Sequence, residues 1–309
     1  MAEAGSQTAT AGAESRRARG FSEVGAGALI NGAIGVVVTW ATMPVVMLVA
    51  LRMVFAAVAL GLVVALRRDW PALGDRRVTL RLLLAGLTLA ANLSLYFVAI
   101  RETGVAVAIF TSYLAPVYVA FLGPRFEGGR TEGVVYAALA AALGGMALIL
   151  VPGLAGDGAR LSAAGLAAGV GAGVFYALYL LQTKQLRRRG LHSTSIVFSL
   201  CLVTAVVLLP IGLSQTPAAD FTARNMLLAA LLGLVMTALS FSLFLDGMHY
   251  IKVQHASIMG YIEPVSAPLY ALVFLGQRPS AWTLAGGVLI IAAGVLVVAL
   301  GKADEETLL

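Results

Sequence analysis

YIEPVSAP, residues 261–268, sets Glu263 directly before Pro264, with Pro268 one turn later, inside an otherwise apolar segment. The run 253–275 carries that one charge, and about 20 mostly apolar residues suffice to cross a bilayer core. At helical rise, Glu263 is expected about 15 Å into the run, near the middle of a ~30 Å hydrocarbon layer. A charge there costs at least about 2.5–3.5 kcal/mol, so such residues face protein or a water-filled cavity and mark a pathway. Proline removes the hydrogen bond to the carbonyl four residues back. Pro264 and Pro268 are therefore expected to free the carbonyls of Gly260 and Pro264 for a ligand or water. The competing reading is a structural acid, neutral or paired with an arginine.

Outward from this stretch the rest of the chain has the same character. Of 309 residues, 60% are hydrophobic and 12% charged, against about 45–50% and about 25% in soluble domains. Apolar runs between charge and turn signals predict an all-α integral membrane protein with ten transmembrane helices. These are 23–43, 45–66, 79–100, 104–124, 132–151, 161–183, 194–213, 225–248, 253–275 and 280–301. With the N-terminus inside, 16 of the 21 Lys and Arg fall on cytoplasmic segments and four outside, leaving Arg52 within a span. That bias puts both termini in the cytoplasm. Residues 1–22 are expected to form a disordered cytoplasmic tail.

Several function classes drop out. The net charge of +6 is spread over loops between spans, so it forms no face for nucleic acid. A single cysteine, Cys201, allows neither an internal disulfide nor a thiolate metal cluster. No metalloprotease, nucleophile-elbow or phosphate-loop motif occurs. No enzyme activity, cofactor or metal site is expected.

An internal repeat organises the spans. At an offset of 148 residues, LYFVAIRETGVAVAIFTSYLAPVYVAFLG from Leu95 lies over LFLDGMHYIKVQHASIMGYIEPVSAPLYA from Leu243. Tyr113 then matches Tyr261 and Pro116 matches Pro264. Ala115 stands where Glu263 does, so the acid is one-sided. Each half holds five spans, and an odd number inserts the second half in the opposite sense. Two inverted five-helix repeats, 23–153 and 161–302, follow; this is an architecture common among secondary transporters.

These features resemble the drug/metabolite transporter superfamily, specifically EamA-type transporters. The motifs are ALYLLQTKQL (177–186), LYFVAI…TSYLAPVYVAFLG, and ASIMGYIEPVSAPLYALVFLGQRPSAWTLAGGVLIIAAGVLVV. The chain departs from the family pattern at Gln277, where relatives commonly carry Glu. The resemblance implies a bacterial cytoplasmic-membrane exporter of small metabolites, amino acids or related polar solutes, working by alternating access. It further implies a small-molecule substrate, protons as a candidate coupling ion, and a monomer or homodimer. A nucleotide-sugar or lipid-linked carrier of the same fold and a non-transporting scaffold are the alternatives.

Candidate substrate-binding or coupling residues are Glu263, Tyr261 and Tyr270 on the ninth span, Asn92 and Tyr96 on the third, and Tyr113 on the fourth. Tyr176 on the sixth, Asn31 and Trp40 on the first, and Arg52 on the second complete the set, with Pro116, Pro264 and Pro268 as helix breakers. Tyr179, Thr237 and Ser240 are secondary cavity-lining candidates. Polar groups in lipid usually face protein, so interhelical bonding competes with ligand contact for each. Arg52 is expected about 10 Å from the outer end of its span, close enough to snorkel outward; pairing with an acid or meeting a substrate carboxylate is the sharper alternative. The GxxxGxxxG stripe Gly165-Gly169-Gly173 is expected to let helices approach closely.

Overall fold

The structure is a computed structural model that describes residues 2–71, 75–128, 130–154 and 162–301. The described residues are helical, with ten helices long and apolar enough to cross a membrane. The first span joins α1 (Ala2–Gly32) and α2 (Ile34–Trp40). The second is α3 (Val45–Arg67), and the third is α4 (Arg76–Thr103). The fourth is broken into α5 (Val105–Ser112) and α6 (Ala115–Glu127), and the fifth is α7 (Gly133–Leu154). Next come α8 (Ala163–Arg188) and α9 (Ser193–Gln215). The eighth span runs through α10 (Ala223–Gly233), a π-helical segment (Leu234–Leu239) and α11 (Ser240–Tyr250). The ninth is broken into α12 (Val253–Met259) and α13 (Ile262–Leu275), and α14 (Ala281–Leu300) ends the bundle.

The expected spans match these helices closely. The exception is the N-terminus, where α1 begins inside the segment expected as a tail. Phe21 is buried there, and Arg17 donates to the carbonyls of Val298 and Gly301 at the end of α14. The candidate first span accordingly starts at Glu14.

Helix pairing keeps the same form when the two halves are exchanged. α4 packs on α8 as α1 packs on α11, while α3 pairs with α9 and α7 with α14. This pairing is consistent with the expected five-helix repeat. Small residues set the closest crossings. A Cβ on Gly169 would collide with the Thr111 hydroxyl, and one on Gly173 would come 3.0 Å from the Thr111 carbonyl. Gly165 meets Glu102 and Thr103 at the end of α4 in the same way, so the expected glycine stripe is the face of α8 that receives the junction of α4 and α5.

Both repeat-matched Tyr-x-x-Pro sequences break their helices, and in the same way. Tyr113 takes φ −76°, ψ 6° and Tyr261 takes φ −67°, ψ −6°, between helical segments on either side. The two tyrosines meet. Their rings lie 5.8 Å apart, and the Tyr261 hydroxyl donates to the Tyr113 carbonyl at 2.5 Å. Residues 148 apart in sequence thus touch at the centre of the bundle.

One expectation fails at the second break. The Gly260 carbonyl is not free: it accepts the Glu263 N–H at 3.1 Å. Because α13 restarts at Ile262, Pro264 sits in its first turn, where its missing N–H would lack an intrahelical partner anyway. The break comes from the restart, and the proline suits it.

Candidate functional site

Glu263 stands in the first turn of α13, at this break. The Tyr113 hydroxyl and the Asn31 amide reach its carboxylate, and Arg52 interacts with it electrostatically. Tyr96 and Tyr176 are within electrostatic reach of the same group. Glu263, Asn31, Tyr96, Tyr113 and Tyr176 come from the first, third, fourth, sixth and ninth spans, and each stays partly accessible. Side chains from five spans thus converge on Glu263 without fully burying one another. Around it, Ser240 donates to the Gly27 carbonyl at 2.9 Å and lies 3.0 Å from Asn31 Oδ1. Asn31 is thereby tied to the eighth span while it faces the acid. A Cβ on Gly32 would collide with the Ser266 hydroxyl, so glycine brings α1 close enough to α13 to hold Asn31 beside Glu263.

Arg52 does not snorkel. It is 8% exposed, and its carbonyl lies 2.7 Å from where a Cβ on Gly233 would be. Its side chain runs one turn farther along the eighth span, away from the loop that binds Asn225 through Thr42. There Nε donates to the Thr237 hydroxyl at 2.5 Å, and the guanidinium lies over the Phe241 ring at 5.6 Å. Among the described residues no carboxylate comes within 4.0 Å of it. Arg52 and Glu263 are within electrostatic reach of each other without forming an ion pair.

Tyr176 stacks on Tyr179 at 5.7 Å, and Tyr179 meets Phe241 at 6.4 Å, so an aromatic wall joins the two charges. Phe241 is the member that sequence reasoning missed. In the run FSLFLDG it carries no polar signal that separates it from a lipid-facing residue.

Other candidates lie elsewhere or are committed. Tyr261 is fully buried, with its hydroxyl on the Tyr113 carbonyl. Asn92 is buried and donates to the Ala172 carbonyl at 2.8 Å, tying α4 to α8. Trp40 and Tyr270 both pack on Phe274, at 6.1 Å and 6.4 Å, near the far end of α13 from Glu263.

Comparison with known proteins agrees with this architecture. The EamA-like transporter family matches residues 24–151 and 163–299. An uncharacterized transporter of Archaeoglobus fulgidus is 36% identical over 202 residues, covering 65% of this chain and 70% of that protein. The uncharacterized transporter YxxF of Bacillus subtilis is 29% identical over 290 residues, 89% of each chain. The threonine/homoserine exporter RhtA of Salmonella typhimurium is 24% identical over 246 residues, covering 79% of this chain and 78% of that one. A solved crystal structure superposes with a TM-score of 0.75 at 19% identity, over 93% of this chain and 98% of that one, and shares the fold.

Proposed function

The chain belongs to the EamA-like transporter family, and we propose that it exports small polar metabolites, amino acids first among them, across the bacterial cytoplasmic membrane. Both termini face the cytoplasm, and the two five-helix halves, inverted with respect to each other, open the central cavity to either side in turn. The carrying observation is Glu263: a partly accessible carboxylate at a helix break, ringed by Tyr113, Asn31, Tyr96 and Tyr176. A carboxylate held at that depth suits recognition of a cationic group or uptake of a proton. Threonine and homoserine are the first substrates to try, because the RhtA exporters named for them match most of this chain.

The test is exchange in proteoliposomes containing the full chain. Wild type is expected to exchange radiolabelled L-threonine or L-homoserine and to be driven by an imposed pH gradient. Glu263→Gln is expected to abolish the gradient-driven component while the purified protein keeps its melting temperature. Undiminished exchange in Glu263→Gln would remove the acid from the transport cycle.

A further inference from the structure

We propose that Arg52, held by Thr237 and Phe241, is a carboxylate seat, and that with Glu263 across the cavity it fits the site to zwitterionic amino acids. This deepens the amino-acid reading above and rests on it for the identity of the transported solute. Three observations carry the seat. First, Arg52 is buried in the bundle but bonds the protein through Nε alone among the described residues. Its two terminal nitrogens form no hydrogen bond there, and neither is fully enclosed. A guanidinium offers a planar fork that matches a carboxylate with two parallel N–H donors. Fixing Nε from behind aims that fork forward.

Second, the anchor is built into an irregularity. Thr237 lies within the π-helical segment Leu234–Leu239, and its hydroxyl donates to the Leu232 carbonyl, five residues back, at 3.0 Å. Its lone pairs are thus left to accept from Arg52. π-Bulges are frequent at functional sites. The same span supplies Phe241, whose ring face covers the guanidinium, so one helix fixes both the direction and the plane of the cation.

Third, the opposite charge lies within electrostatic reach of Arg52 but is not paired with it. Glu263 and Arg52 interact electrostatically, yet neither forms an ion pair within 4.0 Å among the described residues. Opposite charges held apart in one cavity suit a solute carrying both, its carboxylate on Arg52 and its ammonium at Glu263. Thr237 is a positioning residue in this scheme, acting through Arg52.

The experiment is threonine counterflow by the full chain in proteoliposomes, competed with L-threonine, L-threoninamide and N-acetyl-L-threonine. Threonine is expected to compete at least about tenfold better than either derivative, since each lacks one partner of a charge-assisted pair. Arg52→Lys keeps the charge but loses the fork, and is expected to raise KM about tenfold. Thr237→Ala should raise KM several-fold with little change in maximal rate, and Thr237→Ser should restore it. Equal competition by threoninamide, or an unchanged KM in Arg52→Lys, would overturn the seat while leaving amino-acid export standing. If wild type moves no amino acid, thermal stabilisation of the purified protein by L-lactate and by lactamide separates the two claims. Stabilisation by lactate alone, lost in Arg52→Gln, would uphold the seat without the amino-acid reading; equal effects of the two would overturn the seat as well.

Discussion

Arg52 and Lys184 are both buried cations in a chain built for lipid, and their donors are disposed in opposite ways. Lys184 is 1% exposed, and its ammonium donates to the carbonyls of Met248, Ile251 and His249 at 2.6, 2.8 and 3.3 Å. It thus caps the end of α11, where the last-turn carbonyls lack intrahelical donors and the helix dipole favours positive charge. Glu127 lies 4.0 Å from it, is 3.5 Å from Arg188, and accepts the Val253 N–H that opens α12. Nearby, Lys252 meets Glu132 at 2.6 Å. These charges fasten the fourth, fifth, sixth, eighth and ninth spans together at one end of the bundle. Arg52 bonds a single hydroxyl, and its two terminal nitrogens form no hydrogen bond among the described residues. Burial alone does not tell a structural cation from a functional one; the disposition of its donors does.

The largest effect should come from Lys184. Lys184→Ala strips the α11 carbonyls of their donor and leaves Glu127 one cation short. Removing one partner from such a buried arrangement costs about 3–5 kcal/mol. The purified variant is expected to melt far below wild type, whereas Arg52→Gln should melt close to it and fail in transport. If Arg52→Gln melts as far below wild type as Lys184→Ala, the contrast between the two cations is gone and Arg52 is a structural charge.

A smaller effect separates the repeat-matched tyrosines on the same logic. The Tyr261 hydroxyl is committed to the Tyr113 carbonyl, so Tyr261→Phe should lower stability by about 1 kcal/mol. The Tyr113 hydroxyl faces Glu263 instead. Tyr113→Phe should leave the melting temperature in place and alter threonine counterflow. The reverse outcome would mean that the cavity side of the crossing lies at Tyr261.

The spans could be read from the sequence because lipid makes a long charge-free run conspicuous, and the ten helices fall where those runs do. The breaks were also visible, since Tyr-x-x-Pro occurs twice at one offset. Two site features were not. Pro264 frees the Gly260 carbonyl only in a helix that continues through it. The restart at Ile262 depends on backbone geometry that composition does not encode. Arg52 looked able to snorkel because sequence position fixes the depth of a Cα but not the direction of a side chain that spans about a turn. Its direction follows from the Gly233 crossing and from Thr237, 185 residues away in sequence. The first twenty-two residues read as a tail because their polar composition hides the packing of Phe21 and Arg17.

The smallest predicted effect tests how the seat itself is held. Phe241 touches the Arg52 guanidinium only through its ring face, and a cation–π contact of this kind contributes about 1 kcal/mol, or roughly fivefold in affinity. Phe241→Leu keeps the volume and the apolar character but removes the quadrupole. Its melting temperature should stay close to wild type, and its KM for threonine counterflow should rise several-fold, less than in Arg52→Lys. Phe241→Tyr, which retains the ring, should keep the wild-type KM. Should Phe241→Leu match wild type in KM, the plane of the fork is fixed by the Thr237 bond alone. Arg52 would then have one anchor against the three carbonyls that hold Lys184, and the difference between the two cations would be wider still.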